Sequence, residues 1–434
     1  MNKDFLDSIK SVHFIGIGGI GVSAIARLFL GRGAAVSGSD RDGSLITAKL
    51  KDMGAMIFVG HDAKHISEKC DLVVYSPAVP DTNPELVSAR EKGVAVYSYP
   101  EALGLISKGM RTVAVSGTHG KTTTTAMIAE VLISAQKSPT VIVGSLLKSG
   151  TNFVHGESDI FVVEACEYKR SFLNLSPEVL VITNIDNDHL DYYKDLADIQ
   201  SAFRELAMKV SVTGVIACDP NDVRIKPVLE NVKANIIDYT KEILNTSLAV
   251  PGEHNIKNAK AALAVARIFG VLQADAEKSL ALFQGTWRRM ERKGEMENSA
   301  IVYDDYAHHP TEIRATLQGF RAKFPTERIR VVFQPHLYSR TKLLLNEFAE
   351  SFDDVSEVIV APIYSAREAA DPEISAEILA QAIADHQKVS GLRVWAMIDF
   401  SAIETYLRDT AQKGDIIVTM GAGDVFKVGE SVLG

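Results

Sequence analysis

The 434-residue chain is 46% hydrophobic and 23% charged, a globular composition with room for roughly three separately cored domains. Its formal net charge of −9, with no dense Lys/Arg block, argues against nucleic acid and anionic membranes as partners. No run of about 18 apolar residues is present, MNKDFLDSIK lacks a leader's apolar stretch, and Cys70, Cys166 and Cys218 show no CxxC spacing; together these predict a cytoplasmic protein with reduced thiols.

In chain order, β-rich runs alternate with helical patterns, which predicts an α/β architecture with largely parallel sheets. The first block opens with VHFIGIGGIG, passes into the helical VSAIARLFLGRG and returns through AAVSGSD. Gly16, Gly18 and Gly21 form G-x-G-x-x-G between strand and helix, and Asp40 ends the next strand, the fingerprint of a Rossmann-like dinucleotide fold. Glycines there let backbone N–H groups approach a diphosphate at a helix N-terminus, so a nucleotide sugar suits the loop as well as NAD. A nicotinamide-dependent oxidoreductase therefore stays open at this point. LVVYSPAVP and VAVYSYP supply further strands, and the pattern breaks near Ser107–Gly109, giving a first domain of residues 1–108.

The second block, residues 109–296, begins with strand RTVAVSG and the loop SGTHGKTTTT. Gly117, Thr118, His119 and Gly120 make a phosphate loop two residues shorter than the common form, followed by a P-loop ATPase-type helix. Lys121 is placed to neutralise terminal phosphates, and Thr122 or Thr123 to offer a hydroxyl to Mg²⁺. A shorter loop encloses less, so other ligands are needed. Strand DIFVVEACE ends in Glu164, and EVLVITNIDNDHLDYY runs into His189; the carboxyl ends of neighbouring parallel strands share one crevice. Thr122, Glu164 and His189 are thus the candidate metal ligands. An alanine-rich helix follows at NIKNAKAALAVARIFG. The third block, residues 297–434, holds strands IVYDDY, IRVVFQP, EVIVAPIY, RVWAM and DIIVTMGAGD, a second Rossmann-like domain.

GTHGKTTTT, EACEY, TNIDNDHLDYY, GEHNIKNAKAALA, FQGTWRR, DDYAHHPTEI, FQPHLYSRT and GAGD, following HFIGIGGIGVSAIA, resemble the Mur ligase family, the ATP-dependent amide-forming enzymes of peptidoglycan precursor synthesis. The resemblance spans all three blocks in the family's order. It implies three domains that hold UDP-sugar, ATP and amino acid, the third closing over the others, and ATP and Mg²⁺ as cofactors. It implies small-molecule substrates, with L-alanine joined to the carboxylate of UDP-N-acetylmuramate; a recycling ligase that attaches a preformed murein peptide is the alternative. Gly16, Gly18, Gly19 and Gly21, with Asp40, Ser76 and Asn152, would bind the UDP-sugar, which displaces the nicotinamide reading. Lys121 and the phosphate loop, His254, Asn255, Asn258, Arg289 and Asp305 would bind ATP, Asp305 at the ribose. Tyr306, His308, His336 and Arg340 would line the amino-acid side, with Lys121, His308 and Arg340 catalytic and His308 as proton acceptor.

Three positions depart from the family pattern. Cys166 stands where an acidic residue is frequent and reads as a packed thiol, leaving Glu167 to carry the charge. Leu337 occupies a place where relatives often have arginine. Arg204 lies near the position of a carbamylated lysine in several relatives, so no carbamate is expected. His13, His61 and His65 read as structural or solvated, and Trp287 as packing at a domain joint.

Overall fold

The computed structural model describes residues 8–147, 150–366, 368–386 and 391–434. Most of MNKDFLDSIK lies outside the described residues. Three sheets follow one another along the chain. β1 (Ser11–Ile15), β2 (Ala35–Asp40), β3 (Met56–Val59), β4 (Leu72–Tyr75) and β5 (Ala95–Ser98) form a parallel sheet in the order β3-β2-β1-β4-β5. The strand order reverses between β1 and β4, and the first glycine loop leaves the carboxyl end of β1 there. That reversal point is where open α/β sheets take ligands.

β6 (Arg111–Ser116), β7 (Thr140–Ile142), β8 (Phe153–Val154), β9 (Ile160–Glu164), β10 (Val179–Ile182), β11 (Val215–Cys218) and β12 (Asn235–Asp238) form the second sheet, in the order β12-β11-β10-β6-β9-β7-β8. All its pairs are parallel except β7 with β8. Val113, Ala114 and Val115 of β6 are fully buried, as an unbroken apolar run covered on both faces requires.

The first two sheets belong to one compact unit, residues up to Thr246 with Lys257–Leu280. The expected boundary at 108/109 separates the sheets but does not separate their cores. Phe14 and Phe29 of the first and Phe161 and Phe172 of the second lie in one continuous apolar cluster. Gly104 of the helix Tyr99–Lys108 comes so close to Asn174 that an added Cβ would sit 2.5 Å from its carbonyl oxygen.

A second compact unit comprises Ser247–Ile256 and Ala281–Gly434. Its sheet contains β13 (Glu291–Glu295), β14 (Ile301–Asp305), β15 (Ile329–Phe333), β16 (Glu357–Val360), β17 (Arg393–Ala396) and β18 (Ile416–Met420), ordered β13-β14-β18-β15-β16-β17. β13 pairs antiparallel with β14, so the third sheet recruits residues ahead of the expected boundary at 296/297. The charged ERKGE stretch had too little alternation to read as a strand. Val331 and Phe333 enter the apolar cluster on one face and Val332 that on the other, following the period of two. The helix anticipated at NIKNAKAALAVARIFG runs over Glu253–Ile268. Among the described residues no helix is long and apolar enough to cross a membrane.

Candidate active site

At the first glycine loop, Gly16 has φ +79°, a conformation that favours glycine. The loop is braced from below: Gly16 N and Ile17 N donate to Ser39 O at 2.8 and 3.0 Å, and Gly18 N to Asp40 Oδ2 at 2.7 Å. Gly19 N-caps the helix Ile20–Gly31, and Ser76 abuts Gly16, its Cβ 3.0 Å from where a Cβ on that glycine would stand. Two of the residues expected at the sugar nucleotide are closely packed. A Cβ on Gly21 would come within 2.5 Å of the Tyr99 ring, so this glycine permits close packing against that ring. Asn152 is 1% exposed, accepts from Arg27 Nη1 at 3.0 Å and donates to Ile20 O at 2.6 Å, tying its segment to the helix Ile20–Gly31.

The shortened phosphate loop is held by the segment after β10. Thr118 N donates to Asn184 O (3.1 Å) and His119 N to Asn184 Oδ1 (2.9 Å), while Thr183 Oγ1 and Asn184 Nδ2 donate to His119 O. A Cβ on Gly117 would stand 2.0 Å from Thr183 Oγ1, and one on Gly120 2.7 Å from Asn258 Oδ1. Asp186 receives Arg224 Nη1 at 2.7 Å and lies 3.4 Å from His119 Nε2. Thr183, Asn184 and Asp186 of TNID thus brace the loop that is two residues shorter than the common form.

Lys121 opens the helix Lys121–Ser134, and its ammonium donates to Gly117 O (2.6 Å), Thr118 O (3.0 Å) and Glu167 Oε1 (2.9 Å). Burial opposes this charge, but Glu167 outweighs it and raises the lysine's pKa. Glu167 is 2% exposed; burial pushes its pKa up, yet Lys121 and His189 hold it below the ordinary carboxylate range. His189 Nε2 lies 3.5 Å from Glu167 Oε1, at a backbone φ of +54°. Glu164, ending β9, accepts from Gly144 N at 2.8 Å and acts electrostatically on Lys121. Thr122 and Thr123 are 7% and 8% exposed. Lys121, Glu164 and His189 therefore meet at one sheet edge, with Glu167 as the link that sequence noted only as a spare charge. Cys166, expected to be packed, is exposed beside them, because β9 has ended and its side chain leaves the core. Arg204 pairs with Glu230 Oε2 at 2.7 Å.

In the second unit, a row of rings lies along the carboxyl ends of the strands. Tyr306 and His308 have centroids 5.4 Å apart, His308 and His336 5.7 Å, and His336 stacks on Tyr364 at 5.7 Å. Arg340 Nη1 lies 3.1 Å from His336 Nδ1, and His308 Nδ1 lies 3.0 Å from Tyr306 O and 3.4 Å from Glu312 Oε2. His309, not His308, caps the helix Pro310–Lys323. Leu337 is buried at φ +71°. Tyr364 was not singled out from sequence, since EVIVAPIY reads only as a strand and its end.

Of the paired arginines, Arg288 is the structural one: 2% exposed, it donates to Asp304 Oδ2 (2.6 Å), Gly421 O (2.6 Å) and Gly423 O (2.9 Å). Arg289 is left partly exposed, 5.2 Å over the Tyr306 ring and 3.7 Å from Glu312. Trp287 packs against Phe426 within the unit. His254 is held neutral, its pKa lowered to about 4 by burial and then by Arg289, and Asn255 Nδ2 donates to Pro251 O at 2.7 Å. Asp305, the expected ribose contact, is fixed by its own backbone neighbours. Only 2% exposed, its carboxylate accepts from Met290 N (2.7 Å) and Ala307 N (2.8 Å), and burial raises its pKa to about 6.

Glycine loops on two parallel sheets, one with a lysine countered by clustered carboxylates, and a third sheet bearing imidazoles and guanidinium define an ATP-dependent ligase architecture. Family models agree: residues 11–111 match the Mur ligase family catalytic domain, 115–242 the Mur ligase middle domain, and 288–423 the Mur ligase glutamate ligase domain. The chain is 41% identical over 462 aligned residues to a UDP-N-acetylmuramate–L-alanine ligase of Clostridium kluyveri, covering 100% of both. A crystal structure of a UDP-N-acetylmuramate–alanine ligase from Thermotoga maritima is similar at 28% identity and TM-score 0.78, over 97% of this chain and 98% of that one. A murein peptide ligase from Psychrobacter arcticus shares the fold at 24% identity and TM-score 0.68, over 98% of each chain. The chain belongs to the Mur ligase family.

Proposed function

We propose that the protein joins L-alanine to the carboxylate of UDP-N-acetylmuramate in the cytoplasm, converting ATP to ADP and phosphate, as a step of peptidoglycan precursor synthesis. The observation that carries this reading is full-length similarity to proteins of that name, joined to a phosphate loop whose lysine meets Glu164, Glu167 and His189 at one edge. The sugar-borne carboxylate takes the γ-phosphoryl of ATP, giving an acyl phosphate and ADP. The neutral amine then attacks the acyl carbon, phosphate leaves, and an amide forms.

The first step brings an anion to a triphosphate, so fixed positive charge and positioning supply most of the acceleration. Lys121 exchanges its loop carbonyls for phosphate oxygens. The donor set fits Mg²⁺: the carboxylates Glu164 and Glu167, the Thr122 hydroxyl and the His189 imidazole, an oxygen-rich group at the loop that holds phosphate. Bound there, Mg²⁺ would neutralise phosphate charge. The first glycine loop carries the UDP diphosphate, with Gly16, Gly18 and Gly19 presenting backbone and Asp40 holding the loop. On the amino-acid side, Arg340 orients carboxylate and His308 accepts the amine proton, its ring turned by the bond to Tyr306 O.

Phosphate release measured with alanine, glycine, serine and a murein tripeptide tests the specificity. Alanine is expected to give the highest turnover; preference for the tripeptide would replace this reading with that of a recycling ligase.

A further inference from the structure

The carboxylate of Glu167 meets Lys121 and His189, yet Glu167 lies past the end of β9, where no sheet ladder holds the chain. The turn it opens is strained: Lys169 and Arg170, neither of them glycine, stand at φ +52° and +56°. Consecutive left-handed residues of this kind persist only where their surroundings impose them. Arg170 N donates to Glu167 O at 2.9 Å, which closes the turn on itself. A second donor comes from a distant segment: Tyr193 Oη donates to the same carbonyl at 2.5 Å. Tyr193 is 2% exposed, and its ring belongs to the apolar cluster that holds Phe172 and Phe203.

Tyr193 and His189 share one turn, since Tyr192 N and Tyr193 N both donate to His189 O, at 2.8 and 2.9 Å. His189 Nε2 lies 3.5 Å from Glu167 Oε1, so that turn reaches the glutamate twice, at its side chain and at its main chain. The glutamate's segment reaches back. Tyr168 Oη donates to Asp191 Oδ2 at 2.9 Å, and the Tyr168 ring centroid lies 4.8 Å from that of His189. EACEY and DHLDYY thus exchange phenols, one bond buried and the other at the surface, around the carboxylate and imidazole they present. Glu167 Oε2 faces the Lys121 ammonium at 2.9 Å but off the line of a hydrogen bond, a buried oxygen with capacity left to accept a cation.

We propose that Tyr193 is a positioning residue for the magnesium nucleotide. Its phenol fixes the main chain of Glu167 so that the carboxylate stays between Lys121 and His189, and Tyr168 secures the same pair of segments from the surface. This rests on the reading of that edge as the ATP and Mg²⁺ site. Tyr193 is given no contact with the nucleotide; it acts through Glu167.

Calorimetric titration of the full chain with ADP, in Mg²⁺ and again in chelator, tests this. Tyr193→Phe keeps the ring and removes only the oxygen. It is expected to weaken ADP binding in Mg²⁺ about tenfold, the lower end of what losing a bond behind a metal ligand costs, while ADP binding in chelator and UDP-N-acetylmuramate binding stay within about twofold. In the Glu167→Gln background, Tyr193→Phe should add nothing, because the phenol has no charged ligand left to position. Tyr168→Phe alters a surface bond and is expected to lose about threefold in Mg²⁺ alone, the scale of one ordinary hydrogen bond. That variant keeps the test decisive should Tyr193→Phe not fold.

Wild-type affinity in Tyr193→Phe, or in Tyr168→Phe if the former does not fold, overturns the proposal. So does a loss of equal size in chelator, which marks a merely structural hydroxyl, or a full further loss in the Glu167→Gln background. Wild-type protein that binds no ADP, or binds it equally with and without Mg²⁺, would instead defeat the reading of the ATP and Mg²⁺ site itself.

Discussion

Lys121 Nζ stands 2.9 Å from Glu167 Oε1, and the same ammonium is bonded to two carbonyls of its own loop. The lysine is thus held folded back with its charge already balanced. Triphosphate must compete for it. Lys121→Ala is expected to lower ADP formation at least about hundredfold, the scale of losing a fixed charge aimed at developing anions. Lys121→Arg should not rescue it, because a planar fork does not fit three converging acceptors around one nitrogen. Steady-state ADP release measures both; near-normal turnover of either variant would remove Lys121 from the chemistry.

Glu164 offers a separate handle. Glu164→Gln retains an acceptor for Gly144 N while removing the charge, so folding should be little changed. The Mg²⁺ concentration for half-maximal ADP formation should rise about tenfold, one charge-assisted interaction. Chelator should abolish turnover of the wild type and added Mg²⁺ should restore it.

His308→Ala should reduce amide formation about a hundredfold while ADP affinity stays within a factor of two, as expected of a proton acceptor on the amine side. Comparing product formation with ADP titration separates the two. Unchanged turnover would leave His308 as a packing residue between Tyr306 and His336.

Arg288 predicts a stability effect without a direct chemical role. Arg288→Ala leaves the Asp304 carboxyl without its cationic partner at 0% exposure and strips a donor from Gly421 O and Gly423 O, a loss of about 3–5 kcal/mol. Urea unfolding of the variant checks this, and a shift under 1 kcal/mol would contradict it.

Glu85 gives the acid dependence. Its pKa is lowered from 4.5 to about 2 in the fold, so the unfolded chain takes the proton first as pH falls. The stabilisation is complete above 4.5 and is lost between 4.5 and about 2. Wild type should lose more stability than Glu85→Gln between pH 6 and pH 3, read from thermal unfolding at each pH.

The sequence carried the parts written in local patterns. Strand–glycine–helix transitions, a lysine at a helix start and acidic strand ends were enough to bring Lys121, Glu164 and His189 together. Side chains whose role depends on distant partners were illegible. Gly21 sits in a nucleotide-type motif and Asn152 in none, but the packing of each, on Tyr99 and on Arg27, shows only in the fold. Asp305 lies in a motif that suggests a ligand, yet two backbone amides claim its carboxylate. Arg288 and Arg289 are adjacent and chemically identical; only the fold turns one inward. Glu85 was not singled out, because Ser39, His13, His61 and His65, which approach its carboxylate, come from other elements.

The most direct measurement quantifies ADP and the nucleotide product chromatographically after incubating the protein with ATP, Mg²⁺, UDP-N-acetylmuramate and L-alanine. The account predicts one ADP for each UDP-N-acetylmuramoyl-L-alanine formed, and neither product accumulating over many turnovers when the sugar nucleotide is left out. ADP produced at the same rate without the sugar nucleotide, or no amide with all four present, would contradict it.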